Sequence, residues 1–595
     1  MTLSLNDRSA LPILGARFEG TGTRFGLYTD LASACAVRLV DADGRVVRQE
    51  PMASAGDGYF QVHLEGVGPG ALYKFDVGGR ELPDPYARYL PGGVHGAAQV
   101  VTNEFKWQHG EGIARPLRQQ SIYELHVGTF SEAGTYDGVR ARLPQLRELG
   151  ITTIELMPLA AFPGQRGWGY DGVALFAPFA PYGTPDDLRR LVDEAHGLGL
   201  GVLLDVVYNH FGPAGNYLPS YSARYFTSQF HNAWGDAVNY ADPIVRRLVI
   251  ENALYWLTEF RFDGLRLDAT HAIIDPSKPH ILGELTEAVA RLQPSKVLIA
   301  EDSRNQSTLV TECGLHAVWA DDFHHQLRVT FTRESDGYYA AHRPGVADLA
   351  RVIERGWLYE GQVDPVRGQP RGTPAETLEA EAFVYCIQNH DQVGNRATGD
   401  RLSDAISLEQ YRAASTLLLF LPMTPLLFMG QEWAASTPFL FFTDHDEELG
   451  RLIVEGRRSE FAGFQAFASL ELRERIPNPQ AAATFEASRL QWKEREREPH
   501  AGILALYEAL LALRASDPVL RASSRRELTA QAKGDVLLVR RRAGQDVRQL
   551  VMNFGERPVP LDEVVGRAGA RILVRSDGLA GEAREVPRHT AVITT

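Results

Sequence analysis

GVLLDVVYNH, residues 201–210, is apolar on both faces a strand can present: Val202, Leu204 and Val206 on one side, Leu203 and Val207 on the other. Such a strand suits a parallel sheet enclosed by helices rather than one with a wet face. The residues before it spell the helix that such a sheet requires. Thr184 can cap it, Pro185 suits its first turn, Asp186 and Asp187 favour its positive end, and Leu188, Leu191, Val192 and Ala195 form a buried stripe before Gly197 and Gly199. From SIYELHVGTF onward this grammar of strand and helix repeats about eight times, which points to an α/β fold, a closed (β/α)8 TIM barrel rather than an open doubly wound sheet. No GxGxxG follows the first strand, against a nucleotide-binding sheet.

The barrel has company on both sides. RFGLYTD, AVRLVD, YFQVHLEG and LYKFDVGG read as short strands with a turn at Asp43-Gly44, so residues 1–108 are expected to form an N-terminal β-sandwich. The catalytic barrel is placed at 109–500. Residues 501–595 open with a helix, ILALYEALLALRAS, and continue into DVLLVRRR, RQLVMNF and ARILVRSD, a C-terminal β-domain.

Composition narrows the partners. The chain has 595 residues and a net charge of −14, and nucleic-acid binding generally needs a clustered basic surface, so no nucleic acid is expected. QWKEREREPH, residues 491–500, mixes signs and reads as a solvated helix face. Cys35, Cys313 and Cys386 are odd in number and scattered, which suggests neither disulfides nor a CxxC metal site. The N-terminus lacks a basic region before an apolar run, and TLLLFLPMTPLLFM is broken by Pro422 and Pro425. A soluble, cytoplasmic protein with no membrane partner is the expectation, as a monomer or weak dimer.

The chemistry sits where buried strands end. GVLLDVVYNH carries Asp205, Asn209 and His210; FDGLRLDATH (262–271) carries Arg266, Asp268 and His271; KVLIAED ends in Glu301 and Asp302; FVYCIQNHD ends in Asn389, His390 and Asp391. A barrel interior is normally aliphatic, and unpaired charges there are costly. In a barrel, C-terminal strand ends share one rim, so these groups should converge. Structural ion pairs could explain one such strand end; four together call for a function. Converging carboxylates suit glycoside cleavage, where a proton donor meets the leaving oxygen and an anion meets the oxocarbenium-like carbon. Arg266, two residues from Asp268 on the same face, should keep it ionised as a nucleophile. Glu301 follows an apolar run with no cation beside it, the setting of a proton donor. Neither HExxH nor an EF-hand spacing is present, so no metal and no cofactor is expected. RGWGYDGV (166–173) offers Trp168 and Tyr170 in a glycine-flanked loop for contact with a sugar ring.

DVVYNH, GLRLDATH, the Glu301 strand and QNHD resemble, in order and spacing, the four signature regions of the alpha-amylase superfamily of glycoside hydrolases. The resemblance implies Asp268 as nucleophile, Glu301 as general acid and then base, Asp391 as the stabilising third carboxylate, and retention of the α-anomer. It implies that Tyr170, His210, Arg266 and His390 line the subsite of the attacked glucose, with Asp205 and Asn209 behind them. The N-terminal sandwich is then immunoglobulin-like. WGYDGVALFAPFAPYGTPDDL, ADDFHHQLRV and FFTDHDEELG are closest to members that cut the α-1,4 bond next to the terminal α,α-1,1-linked disaccharide of maltooligosyl trehalose, an oligosaccharide substrate. By the same carry-over Asp321, Asp322, Phe323, His324, His325, Gln392 and Asn395 contact substrate, with core packing as the alternative for Phe323; Trp168, from its loop, and His271, from its strand end, are counted with them. Thr270 stands where relatives lead one to expect valine. The runner-up is a glucan branching enzyme with the same carboxylates.

Overall fold

Strand register decides where the charged side chains go. In the computed structural model, which describes residues 12–232, 235–461, 469–579 and 584–595, eight parallel strands close into a barrel. They are Ile122–Leu125 (β1), Thr153–Leu156 (β2), Gly201–Val206 (β3), Gly264–Leu267 (β4), Val297–Glu301 (β5), Ala317–Trp319 (β6), Phe383–Cys386 (β7) and Thr424–Phe428 (β8). Every residue of β3 is buried, as its two apolar faces require. Ile122, Leu203, Ile299, Ala317, Val384 and Leu426 belong to one apolar cluster that fills the barrel. Two residues further along three of these strands, on the same inward side, stand Glu124, Asp205 and Glu301. A polar layer thus rests on an apolar floor.

Register makes this layer specific. Asp205 of β3 pairs with Arg266 of β4, and Glu124 of β1 pairs with Glu155 of β2. β4 starts at Gly264 because a Cβ there would lie 2.2 Å from the Val297 carbonyl oxygen, so the approach of β4 to β5 depends on the missing side chain. The helix before β3 spans Pro185–Gly197, with a capping box in which the Thr184 side chain and Asp187 satisfy each other's backbone N–H.

The front sheet runs in the order Gly15–Phe18, Gly22–Tyr28, Tyr59–Glu65, Val46–Gly56, Cys35–Val40, Leu72–Val77, Arg80–Leu82, with Ala98–Gln99 on Leu72–Val77. Val46–Gly56 pairs through Val46–Met52 with one neighbour and through Ala53–Gly56 with the other, so one long strand carries the chain between the halves of the sheet. This sheet docks on the barrel. Thr29 Oγ1 donates to the Tyr221 carbonyl at 2.6 Å, the Tyr221 hydroxyl to Pro83 O at 2.9 Å, and Arg224 Nη1 to the Tyr28 hydroxyl at 2.5 Å.

Beyond the barrel a five-stranded sheet runs Leu528–Lys533, Val536–Ala543, Asp546–Asn553, Thr590–Thr594, Ile572–Arg575. The helix His500–Ser516, grouped with this sheet in the sequence reading, packs on the barrel instead. Its buried face carries Ile503, Leu506, Tyr507, Leu510 and Leu511. Tyr507 reaches Ser415 and Gln431, and Arg514 donates to the carbonyls of Leu419 and Met423 at 3.1 and 2.7 Å. The run at 491–500 also departs from expectation. Trp492–Glu496 is a 3-10 turn, because Trp492 is drawn inward, donates to Phe130 O at 2.6 Å and sits under the Arg142 guanidinium. Among the described residues no helix is long and apolar enough to cross a membrane.

Candidate active site

One guanidinium organises the rim. Arg266, wholly buried on β4, donates through Nη1 to both oxygens of Asp205 at 3.0 and 2.8 Å and to Asp268 Oδ1 at 2.7 Å. Its Nη2 stays 3.8 Å from Glu301 Oε2, an ion-pair distance too long for a hydrogen bond. The guanidinium lies over the Trp319 ring, 4.3 Å from its centroid. Asp268 Oδ2 accepts from Asn209 Nδ2 at 2.7 Å, and Asn209 Oδ1 holds His210 Nδ1. Burial alone would raise the Asp268 carboxyl, but Arg266, the Asn209 hydrogen bond and nearby His210 outweigh it and hold the group below its ordinary range.

Glu301 is treated in the opposite way. Burial pushes it well above the carboxylate range; Arg266 opposes this and Asp268, Asp391 and Asp321 reinforce it. Its Oε2 accepts the Ala269 N–H at 2.6 Å, while Oε1 accepts no hydrogen bond from the described residues and is free to carry a proton. That N–H is aimed by a left-handed backbone at Ala269, φ 40° and ψ 53°, a conformation that costs an alanine about 1–2 kcal/mol. Thr270 tightens the same junction, donating to Glu301 O at 3.0 Å and Asp302 Oδ2 at 2.9 Å. A valine there would forgo both bonds.

Beneath Asp268 runs a relay from Glu124 to Asp205. Glu124 accepts the His390 N–H at 2.9 Å and holds its Nδ1 at 2.5 Å; His390 Nε2 meets the Tyr170 hydroxyl at 2.7 Å; that hydroxyl donates to Asp205 Oδ2 at 2.5 Å. Burial would lower His390, but the charges of Asp391 and Glu124 and the Glu124 hydrogen bond raise it to about 9, so the imidazolium donates to Tyr170 at neutral pH. Burial also raises Asp205, against Arg266, to about 6. Trp168 supports this layer and does not face a ligand. Its indole donates to Leu440 O at 2.9 Å, stacks on Phe439 and stands edge-on to His390, and a Cβ on Gly394 would strike it at 2.2 Å.

A cavity of about 470 Å³, the scale of a small-ligand site, opens beside these groups. Glu301, Asp391, His271, Asp321, His325, Gln392 and Asn395 line it, and Asn395 Nδ2 donates to Asp391 Oδ1 at 3.0 Å. Burial, with Asp391 and Asp322 nearby, raises Asp321 to about 7, and burial lowers His325 to about 3, leaving a neutral imidazole.

Of the five residues of DDFHH expected to contact substrate, two reach the cavity. Asp321 and His325, one helical turn apart on the helix Asp321–Thr332, look into the cavity, whereas Asp322, Phe323 and His324 point elsewhere. Phe323 stacks on Tyr385 with centroids 4.3 Å apart and is core. His324 is buried against His325 and Tyr339. Asp322 accepts from Arg371 at 2.8 Å, from Asn305 at 2.7 Å and from the Leu358 N–H at 2.7 Å. With His325 and His342 it forms a metal-like triad, but its oxygens are already taken, one of them by a resident cation, which does not suit a metal ion. Sequence reading also missed Glu124 and Trp319. Glu124 could have been found, since YEL places an acid inside a buried strand just as LLDV does; Trp319 carries no such signal.

Residues 99–223 match the alpha amylase catalytic domain, and residues 523–593 match a domain of unknown function, DUF3459. A malto-oligosyltrehalose trehalohydrolase from Deinococcus radiodurans is 52% identical over 94% of this chain and 92% of its own length. The crystal structure of a putative alpha amylase from Salmonella typhimurium superposes with a TM-score of 0.89 at 37% identity, covering 98% of this chain and 99% of that one. Similarity to a 1,4-alpha-glucan branching enzyme from Leifsonia xyli reaches 34% but spans only 49% of this chain.

Proposed function

The chain belongs to the malto-oligosyltrehalose trehalohydrolases, and on that premise we propose how its rim performs the hydrolysis. The substrate is a maltooligosyl trehalose, cut at the α-1,4 bond next to the terminal 1,1-linked pair to release trehalose and a maltooligosaccharide, a step of trehalose biosynthesis. Asp268 attacks the anomeric carbon of the last chain glucose. Glu301 protonates the departing oxygen, which leaves as a hydroxyl of trehalose. Asp391 grips ring hydroxyls as positive charge develops. Glu301, now ionised, takes a proton from water, which displaces Asp268 and restores the α-anomer by double inversion. Tyr170 and His210 border the attacked glucose, with Arg266 and His390, both buried, positioning Asp268 and Tyr170 from behind, while His271, Asp321, His325, Gln392 and Asn395 belong to the leaving side.

The observation that carries this reading is the asymmetry around Arg266: its Nη1 bonds Asp268 at 2.7 Å, while its Nη2 stops 3.8 Å from Glu301. One carboxyl is thereby kept ionised and the other is left to hold a proton. Three free cysteines and the absence of a disulfide among the described residues support a reducing, cytoplasmic setting. Incubation with maltooligosyl trehalose should yield trehalose and an α-anomeric maltooligosaccharide, and amylose should gain no α-1,6 branches. Branch formation without trehalose would transfer the reading to a glucanotransferase.

A further inference from the structure

We propose that Glu155, an inward residue of β2, is a positioning residue for Arg266: it stays a neutral carboxylic acid inside the barrel, so that one edge of the guanidinium remains unpaired until Glu301 gives up its proton. This rests on reading Glu301 as the proton donor and Asp268 as the nucleophile.

The register decides what surrounds Glu155. Followed around the barrel with an advance of one residue per strand, it places Glu155 of β2, Arg266 of β4, Trp319 of β6 and Leu426 of β8 in one layer. Below lie Ile122, Leu203, Ile299 and Val384, all apolar, and above lie Glu124, Asp205, Glu301 and Cys386. Arg266 is thus the cation of Glu155's own layer, Leu426 is apolar, and carboxyls stand above. His390 reaches that upper layer, but its Nδ1 holds Glu124 and its Nε2 meets Tyr170.

Glu155 is 1% exposed, and neither of its carboxyl oxygens has a hydrogen-bond partner among the described residues. Ionised, it would be a buried charge with no donor; with its proton it carries no charge. Burial, then the charges of Glu124 and Asp205, push its carboxyl well above the carboxylate range, against Arg266 and His390. Arg266 shows the complement. Its Nη1 serves Asp205 and Asp268, while its Nε and Nη2, equally buried, bond nothing among the described residues. An ionised Glu155 in the same layer would draw that edge into a two-pronged ion pair. A neutral acid solvates the edge with a dipole and leaves its charge unclaimed.

The reaction gives that edge a use. Before attack, the ionised partners of Arg266 are Asp205 and Asp268. Once an Asp268 oxygen has bonded to the sugar and the proton of Glu301 has gone to the departing oxygen, the negative charge has passed from Asp268 to Glu301. Glu301 Oε2 already stands 3.8 Å from the unpaired Nη2, about 1 Å beyond hydrogen-bond length. The same guanidinium therefore serves both carboxyls in turn, provided Glu155 does not hold it first.

Infrared difference spectra of the wild type against Glu155→Gln at neutral pH read the acid directly. The carbonyl stretch of a protonated carboxyl should be missing from the variant; loss of carboxylate bands instead would overturn the proposal. Glu155→Gln, neutral and of the same shape, should keep kcat/KM on maltooligosyl trehalose within about threefold, whereas Glu155→Leu, which leaves the guanidinium against hydrocarbon, should lose about tenfold. Equal activity in the two variants would overturn the proposal. In both, the acid limb of the pH profile should stay in place, and a shift of about one pH unit toward acid, the mark of a removed negative charge, would overturn it as well. Neutron diffraction of the unsubstituted protein needs no variant: deuterium on a Glu155 oxygen supports the proposal and a bare carboxylate overturns it. The spectra and the neutron map concern Glu155 alone, so an alkaline limb that survives Glu301→Gln removes the proton-donor reading as a separate outcome.

Discussion

Ala269 is one residue beyond Asp268, has a left-handed backbone, and donates its N–H to Glu301 Oε2. A single strained peptide therefore links the two carboxyls whose opposite protonation the proposed mechanism needs. The pH dependence follows from the signs. If Asp268 is the nucleophile and Glu301 the proton donor, as proposed, Asp268, held low, must be ionised and should limit activity on the acid side, and Glu301, held high, must be protonated and should limit it on the alkaline side. Glu301→Gln should remove the alkaline limb and lower kcat on the sugar substrate by about 10²–10⁴-fold. An activated aryl or fluoride leaving group, which needs no proton, should be cleaved with a much smaller loss of the bond-breaking step. An equal loss on both, with the alkaline limb intact, would place the proton donor elsewhere. The convergence of these acids was legible in sequence, because Glu301 ends an apolar strand, Asp268 directly follows one, and Asp391 follows the apolar run FVYCI at the start of the helix His390–Gly394. Thr270 was not: a departure from the family's valine conceals two hydrogen bonds that only the fold reveals.

At the scale of elements, period and register carry the information. A strand repeats every two residues, so Arg266 and Asp268 could be assigned to one face directly from FDGLRLDATH. A helix turns about 100° per residue, and DDFHH read as a block therefore credited five neighbours with one task, when only Asp321 and His325 share the face that lines the cavity. Phe323 was lost to the core through its stack on Tyr385, a partner distant in sequence that no local pattern names. Register is fixed by a smaller feature still. Gly264 lets β4 lie against Val297 O of β5, where a Cβ would stand at 2.2 Å. Gly264→Ala should cost about 1–3 kcal/mol of stability through overpacking and should lower activity with it, since the same strand pair positions Asp268 and Glu301. Calorimetry beside kcat checks this; a variant with unchanged Tm and activity would show that the register has slack.

The molecule as a whole explains why a sequence of scattered acids makes one site. Residues 205, 268 and 301 lie on or directly after β3, β4 and β5, residue 391 lies in the helix His390–Gly394 that follows β7, and parallel strands in a closed barrel bring all their C-terminal ends to one rim. The alternation of strand and helix made that barrel readable, and turn spacing made the sheets on either side of it readable. The place of the helix His500–Ser516 was not, because its apolar stripe fits a sheet or a barrel equally and only Tyr507 and Arg514 reveal which it joins. The central claim is that this rim turns Asp268 into a nucleophile that bonds to sugar. Glu301→Gln treated with a maltooligosyl fluoride should accumulate a covalent adduct, since the fluoride leaves unaided while water lacks its base. Mass spectrometry of the digested protein should then find the added sugar on the peptide carrying Asp268. Sugar attached to another residue, or turnover to the β-anomer with no adduct, would contradict the account.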